Sequence, residues 1–251
     1  MSKALLEVRD LSRHFGKFAA LQGVSLSVER GVLCALIGPN GAGKTTFYNV
    51  VSGRFPPTRG AVLLDGGDVT GLPTHRLVGR GLARSFQITN VFPSLTVLEN
   101  VLVPLLLERG HGWRFLRRLE AEREDRRRAE EVLDTVGLLG QAHRVTATLA
   151  YGDKRLVEMA IVLARSPRLV LLDEPTAGMN PEETDRMIAL IRELAARLGT
   201  TFFVTEHDMK VVFGLARRIF VLHQGELLAQ GSPEEIKANL AVREAYLGAA
   251  P

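Results

Sequence analysis

The chain has 251 residues, 46% hydrophobic and 24% charged; it can bury a substantial core, and disorder is excluded. Its formal charge of +4 comes from mixed rather than striped residues and reads as solubility beside a membrane, not nucleic-acid binding. No apolar run reaches the ~18 residues of a spanning helix, the start MSKALLEVRD is too acidic for a secretion signal, and the single Cys34 fits a reducing cytoplasm.

In chain order, LLEVRDL and VSLSVE read as strands, then VLCALIG as a buried one. GPNGAGKTT, Gly38 to Thr46, follows directly. It fits G-x-x-x-x-G-K-S/T between a strand and a helix, the context in which that spacing makes a phosphate loop. Gly38, Pro39, Asn40, Gly41, Ala42 and Gly43 form the turn; its glycines let successive N–H groups point at phosphate oxygens. The helix TTFYNVVSG aims its positive end at the same place. Lys44 is expected on the β- and γ-phosphates, Thr45 on Mg²⁺ and Thr46 on the α-phosphate. The ligand is a nucleoside triphosphate.

AVLLDG and the turn Asp65–Gly67 extend an antiparallel layer near the N-terminus. From about Thr96 to Arg165 the pattern is helical, with Glu122 four residues before Arg126 and Glu124 four before Arg128, the spacing of ion pairs on a solvated helix face. WRFLRR, Trp113 to Arg118, could instead touch lipid headgroups. LAYGDKR, Leu149 to Arg155, opens a helix whose apolar Leu156, Ala160 and Leu163 recur at helical spacing. Its glycine turn is expected to cap a phosphate, and Asp153 to cap its own helix.

LVLLDEP is a buried strand with Asp173 at its carboxyl end, where α/β sheets place ligands. Asp173 is expected to meet Mg²⁺ partly through water. Glu174, pointing differently along the extended chain, is expected to polarise the attacking water as general base. PEETDRMIALIRELAARLG begins with Pro181 and acids and ends at Gly199, as a capped helix should. TFFVTEH, RRIFVLHQG and ELLAQG complete the strands. Strands alternating with helices make an α/β fold with a largely parallel sheet.

GPNGAGKTT, LAYGDKR, LVLLDEP and VTEHD, in this order, resemble the ATP-binding subunit of ABC transporters, over essentially the whole chain. The resemblance implies a P-loop, RecA-like core with an antiparallel β layer over 1–88 and 166–251, and a helical subdomain over 89–165. It implies ATP and Mg²⁺ as cofactors and a head-to-tail pair of such subunits, each ATP held between one phosphate loop and the other subunit's signature motif. Here that motif is Ala150, Tyr151, Gly152 and Asp153, where the family commonly has Ser-Gly-Gly-Gln. A working but altered signature is expected, since one lost hydroxyl contact is worth about 1 kcal/mol.

By the same resemblance Gln87 of SFQ senses the γ-phosphate and Mg²⁺. His207 contacts the γ-phosphate beside Glu174. Phe15, or less fittingly Phe18, stacks on adenine, and Asn180 of AGMN bonds across the dimer. LAYGDKR, TAGMNPEET and the segment from TEHDMKVVF to GSPEEI look like the ATPase subunits of branched-chain amino acid importers, specifically the one with the longer helical segment. That implies a permease, reached through ITNVFPSLTVLENV, an extracytoplasmic binding protein acting indirectly, and a peripheral place on the cytoplasmic face of the membrane. Urea or amide import, lipopolysaccharide-type export, and a soluble ABC protein acting on nucleic acid or ribosomes stand as alternatives.

Overall fold

In the computed structural model, which describes residues 4–85, 91–108 and 118–247, the apolar runs are sorted by how many of their faces are covered. Strand β1 (Ala4–Phe15) buries neighbours in pairs, Leu5 with Leu6 and Leu11 with Ser12, where its register with β2 (Phe18–Glu29) shifts. In β2, Val24, Leu26 and Val28 are buried while Ser25 and Ser27 are exposed, the period-two pattern of a sheet with one dry face. Strand β3 (Leu33–Ile37), by contrast, is buried at every residue. After helix α1 (Lys44–Val51), strands β4 (Arg59–Leu64) and β5 (Gly67–Asp68) complete an antiparallel sheet of order β2-β1-β4-β5. Asp65 and Gly66 turn the β4–β5 corner with φ of 52° and 80°, the left-handed pair a tight hairpin requires.

The second sheet is largely parallel. It begins, after the short helix α2 (Thr74–Gly79), with β6 (Leu82–Arg84). Helices α3 (Val97–Glu108), α4 (Arg118–Thr135) and α5 (Tyr151–Leu163) intervene before β7 (Leu169–Asp173). There follow α6 (Pro181–Leu198), β8 (Thr201–Thr205), α7 (Met209–Leu215), β9 (Arg218–His223), β10 (Glu226–Gly231) and α8 (Pro233–Ala238). The strand order is β10-β9-β3-β8-β7-β6, with β10 antiparallel to β9 and the other pairs parallel.

Alternation divides β3 between two cores. Cys34 and Leu36 join Phe47, Tyr48, Phe203 and Phe220 on one face; Ala35 and Ile37 join Val212, Ile219, Val221 and Ile236 on the other. Burying each large side chain stabilises the fold by roughly 1.5–3 kcal/mol. Cys34 is buried and free, and burial pushes its thiol up to about 12.

Residues within Met1–Arg84, Arg168–Pro175 and Ile191–Pro251 form the first compact unit, holding both sheets. The second covers Ser85–Pro167 and Thr176–Leu190, so it reaches beyond the expected 89–165. Within it Tyr151 donates its hydroxyl hydrogen bond to Ala177, which ties residues 176–190 to the helical segment. Thr96 and Glu99 form a capping box at the start of α3. Asn100, fully buried, donates to the carbonyls of Phe92 and Thr96 and the hydroxyl of Thr146. Ion pairs on the described part of α4 include Arg127–Glu124 at 2.9 Å, Arg126–Glu130 at 3.0 Å and Arg127–Glu131 at 3.9 Å. Of the expected Trp113–Arg118 patch, residues 113–117 and the side chain of Arg118 lie outside the described residues, as does the side chain of Glu122. No helix among the described residues is long and apolar enough to cross a membrane.

Candidate active site

The loop after β3 takes its shape from backbone constraints. Gly38, Gly41 and Gly43 have φ of 154°, 78° and 103°. A Cβ on Gly38 would lie 2.2 Å from the carbonyl oxygen of Leu222, and one on Gly43 2.7 Å from that of Ala20. Ala42 donates to Pro39 and accepts from Gly225, which pins the loop to the β9–β10 turn. Gly43 is the N-cap of α1 and carries no side chain to satisfy the first amides of that helix; such a terminus suits an anion. Lys44 donates to the carbonyls of Gly38 (2.6 Å) and Pro39 (3.1 Å), arching over the loop. Burial pulls its pKa below the usual lysine value, against the opposing charges of Glu174 and Asp173. Thr45 is exposed at the start of α1 and Thr46 is half-buried.

At the end of β7, Asp173 is 6% exposed and both its oxygens are engaged. Thr205 donates to Oδ1 at 2.6 Å, and Arg84 donates to Oδ2 at 3.0 Å. Glu174 does not continue the strand as an extended residue. Its φ is +50°, a left-handed conformation costly for a non-glycine residue and found where surrounding structure enforces it. Its amide donates to the carbonyl of Thr205, which holds the kink. The side chain is thereby turned to His207, whose Nε2 lies 2.6 Å from Glu174 Oε1.

Phe15, at the end of β1, is 42% exposed. Phe55 meets its ring edge-on at 5.7 Å and the Arg13 guanidinium lies 4.6 Å from its centroid. Phe18, paired with Phe15 across the turn, is 65% exposed. Phe15 is therefore the ring with a built seat. Gln87 lies outside the described residues.

The stretch LAYGDKR lies in the second unit and differs from expectation in two places. Gly152 makes no left-handed turn: it is the second residue of α5, buried, with the Glu183 side chain where a Cβ would go. Asp153 does not cap the helix. Ala150 is the N-cap residue, and it offers no side-chain bond; the Asp153 carboxylate accepts instead from Gln141 Nε2 at 3.2 Å. Tyr151, exposed, donates to Ala177 O at 3.0 Å, with its ring against Gly178. Asn180 is used within its own chain. Its Oδ1 accepts from the amide of Glu183 while its amide donates to Glu183 Oε2, a capping box for α6. The spacing Asn-x-x-Glu announces that box, a signal the dimer reading passed over.

In the first unit, then, the glycine loop, Lys44, Asp173, Glu174, His207 and Phe15 have defined surroundings; Ala150 to Asp153 have theirs in the second. Sequence reasoning missed Arg84 and Thr205, both donors to Asp173. Among the described residues no group of three or more His, Cys, Asp or Glu could hold a metal by itself. The donors on offer, the Thr45 hydroxyl and the Asp173 carboxylate, are hard oxygens of the sort that Mg²⁺ takes alongside water and phosphate. They fit that ion.

Comparison with known proteins gives the family. The sequence model of the family described as "ABC transporter" matches residues 21–177, and that of "Branched-chain amino acid ATP-binding cassette transporter" matches 226–251. The high-affinity branched-chain amino acid transport ATP-binding protein BraF of Pseudomonas aeruginosa is 42% identical, with all of both chains covered. The ADP conformation of MJ1267, an ATP-binding cassette of an ABC transporter, superposes with a TM-score of 0.85 at 32% identity, covering 98% of this chain and 99% of that one. The dimeric, post-hydrolysis cassette MJ0796 bound to ADP and Pi gives 0.75 at 28% identity, covering 91% and 98%.

Proposed function

Because the chain belongs to the ABC transporter ATP-binding family, we propose that it hydrolyses ATP to drive a branched-chain amino acid importer. The observation that carries the catalytic part is the left-handed kink at Glu174, which turns a carboxylate out of a buried strand end and onto His207 at 2.6 Å. A strained acid beside a histidine, following a phosphate loop, is an arrangement for activating water.

The loop amides and the start of α1 take the phosphates, and Lys44, now folded onto Gly38 and Pro39, swings to the β- and γ-oxygens. Phe15 stacks on adenine, and Gln87 reads the γ-phosphate. Thr45 and Asp173, with Gln87, hold Mg²⁺, which when bound screens the charge of the β- and γ-phosphates. Glu174 accepts the proton of the attacking water while His207 and Lys44 stabilise charge developing on the phosphoryl oxygens. The opposite face of the nucleotide is met by Ala150, Tyr151, Gly152 and Asp153 of a second ATP-binding subunit, arranged head to tail. The dimeric state of MJ0796 supports this pairing. ATP binding thus closes the pair and hydrolysis releases it, and from the cytoplasmic face of the membrane this moves a permease that is loaded from the other side by an extracytoplasmic binding protein. The full-length likeness to BraF and the match over 226–251 support the cargo.

The test is Glu174→Gln. Turnover is expected to fall by about 100-fold or more, the contribution of a general base, with ATP binding retained and an ATP-dependent dimer visible by light scattering. Undiminished turnover removes Glu174 from the reaction. In vesicles carrying the permease and binding protein, leucine is expected to stimulate ATPase activity; stimulation by urea instead would reassign the cargo.

A further inference from the structure

A buried cation stands where the proposed site needs none for binding phosphate. Arg84 ends β6, and its side chain is 6% exposed. Its Nη2 donates to Asp173 Oδ2 at 3.0 Å, while Nη1 donates to Asn49 Oδ1 at 2.7 Å and to Ser52 Oγ at 3.1 Å. The guanidinium also lies 5.6 Å from the Tyr48 ring centroid. Tyr48, Asn49 and Ser52 all belong to or directly follow α1, the helix that opens at the glycine loop. One planar fork therefore spans from the phosphate-loop helix to the acid at the end of β7. Thr205 fixes the other carboxylate oxygen, so Asp173 has neither a free rotamer nor a free distance from α1.

We propose that Arg84 is a positioning residue for the Mg²⁺ site: it sets the orientation of Asp173 and its spacing from α1, so that carboxylate and Thr45 meet one ion without rearrangement. This rests on the reading of Asp173 as the Mg²⁺ carboxylate. Arginine suits the task because its fork is planar and always charged; a lysine keeps the charge but cannot hold Asn49, Ser52 and Asp173 in fixed directions at once. The cost of a nearby positive charge to cation binding is outweighed by the preorganised carboxylate, and partners that orient metal ligands are typically worth about 10–100-fold in metal affinity.

The experiment titrates Mg²⁺ into protein mixed with a fluorescent ATP analogue, after a reference measurement in EDTA. Arg84→Lys is expected to raise the Mg²⁺ midpoint by about tenfold, with analogue affinity in EDTA unchanged. An unchanged midpoint in the folded variant would make Arg84 a core ion pair and nothing more. A lowered midpoint would make it a competitor of Mg²⁺. Both overturn the proposal. Asn49→Ala, which keeps Arg84 and Asp173 but removes one anchor, is expected to shift the midpoint the same way by a smaller factor; no shift there overturns the proposal even if Arg84→Lys does not fold. If the wild-type chain shows no Mg²⁺-dependent binding at all, the reading of Asp173 fails first.

Discussion

The loop Gly38–Gly43 and the stretch Leu149–Arg155 both lead a glycine into a helix, but different forces hold them. At Gly43 the φ is 103° and the obstacle to a side chain is backbone, the carbonyl of Ala20. At Gly152 the residue is helical and the obstacle is the tip of the Glu183 side chain. The first shape is imposed by the chain's own path and hydrogen bonds; the second depends on side chains distant in sequence, Tyr151 on Ala177 and Asp153 on Gln141. A loop that must present amides to a charged ligand is rigid by construction. The surface proposed to meet another subunit is fitted by exchangeable side chains, and there the departures from Ser-Gly-Gly-Gln gather.

The largest expected effect tests that contrast directly. Gly43→Ala places a Cβ in a left-handed position against backbone, at a cost of about 1–3 kcal/mol for the conformation alone. Loop amides turned away from the phosphates lose charge-assisted hydrogen bonds worth about 1.5–3 kcal/mol each, so ATP binding should fall by about tenfold to a hundredfold. Gly152→Ala meets the Glu183 side chain, a flexible neighbour that must shift at some cost to the α6 capping box, and that cost is offset by a gain in helix propensity of up to about 1 kcal/mol. Its melting temperature and monomer ATP affinity should stay close to wild type. Thermal melts and nucleotide titrations decide; equal damage from both would erase the distinction.

The same contrast governs what could be read from sequence. Strands β3, β7 and β8 are buried on both faces and announce themselves as runs of aliphatic and aromatic residues. The loop motif encodes its own geometry. Strand β6 escaped because Leu-Ala-Arg has too little apolar pattern to mark a strand; its existence follows from pairing with Leu169, Val170 and Leu171. Arg84 was invisible for the same reason, since only that register brings it to Asp173. Glu174 was found, but its kink was not, because a positive φ at a non-glycine residue is a tertiary demand. Asp153 was misjudged because the residue at the N-cap of α5 is Ala150, and Gln141, which donates to Asp153, is twelve positions away.

Tyr151→Phe sharpens the comparison from the other side. It removes a single hydroxyl, the donor to Ala177, while keeping the ring against Gly178. A neutral hydrogen bond is worth about 1 kcal/mol, which amounts to about fivefold in an equilibrium constant. If the position of Ala177–Asn180 matters to pairing, the loss should appear as about fivefold weaker ATP-dependent dimerisation of the Glu174→Gln protein, with monomer ATP affinity unaltered. A change confined to the melting temperature would make the bond local scaffolding.

The smallest effect separates two uses of one position. Ala150 is exposed and caps α5 with no side-chain bond. A serine there can accept from an amide of the first turn, worth about 0.5–1 kcal/mol at an exposed cap. The resemblance gives the same hydroxyl a second use, on the γ-phosphate bound by the partner. Ala150→Ser should therefore raise the melting temperature slightly without nucleotide, through the cap alone. A phosphate contact would add a gain seen only in the ATP-bound dimer. The two uses draw on different parts of the hydroxyl, which accepts from the helix through a lone pair while donating its proton to phosphate, so they can add. A gain with ATP that merely equals the gain without it would show that this surface tolerates alanine because the helix amides already do the work.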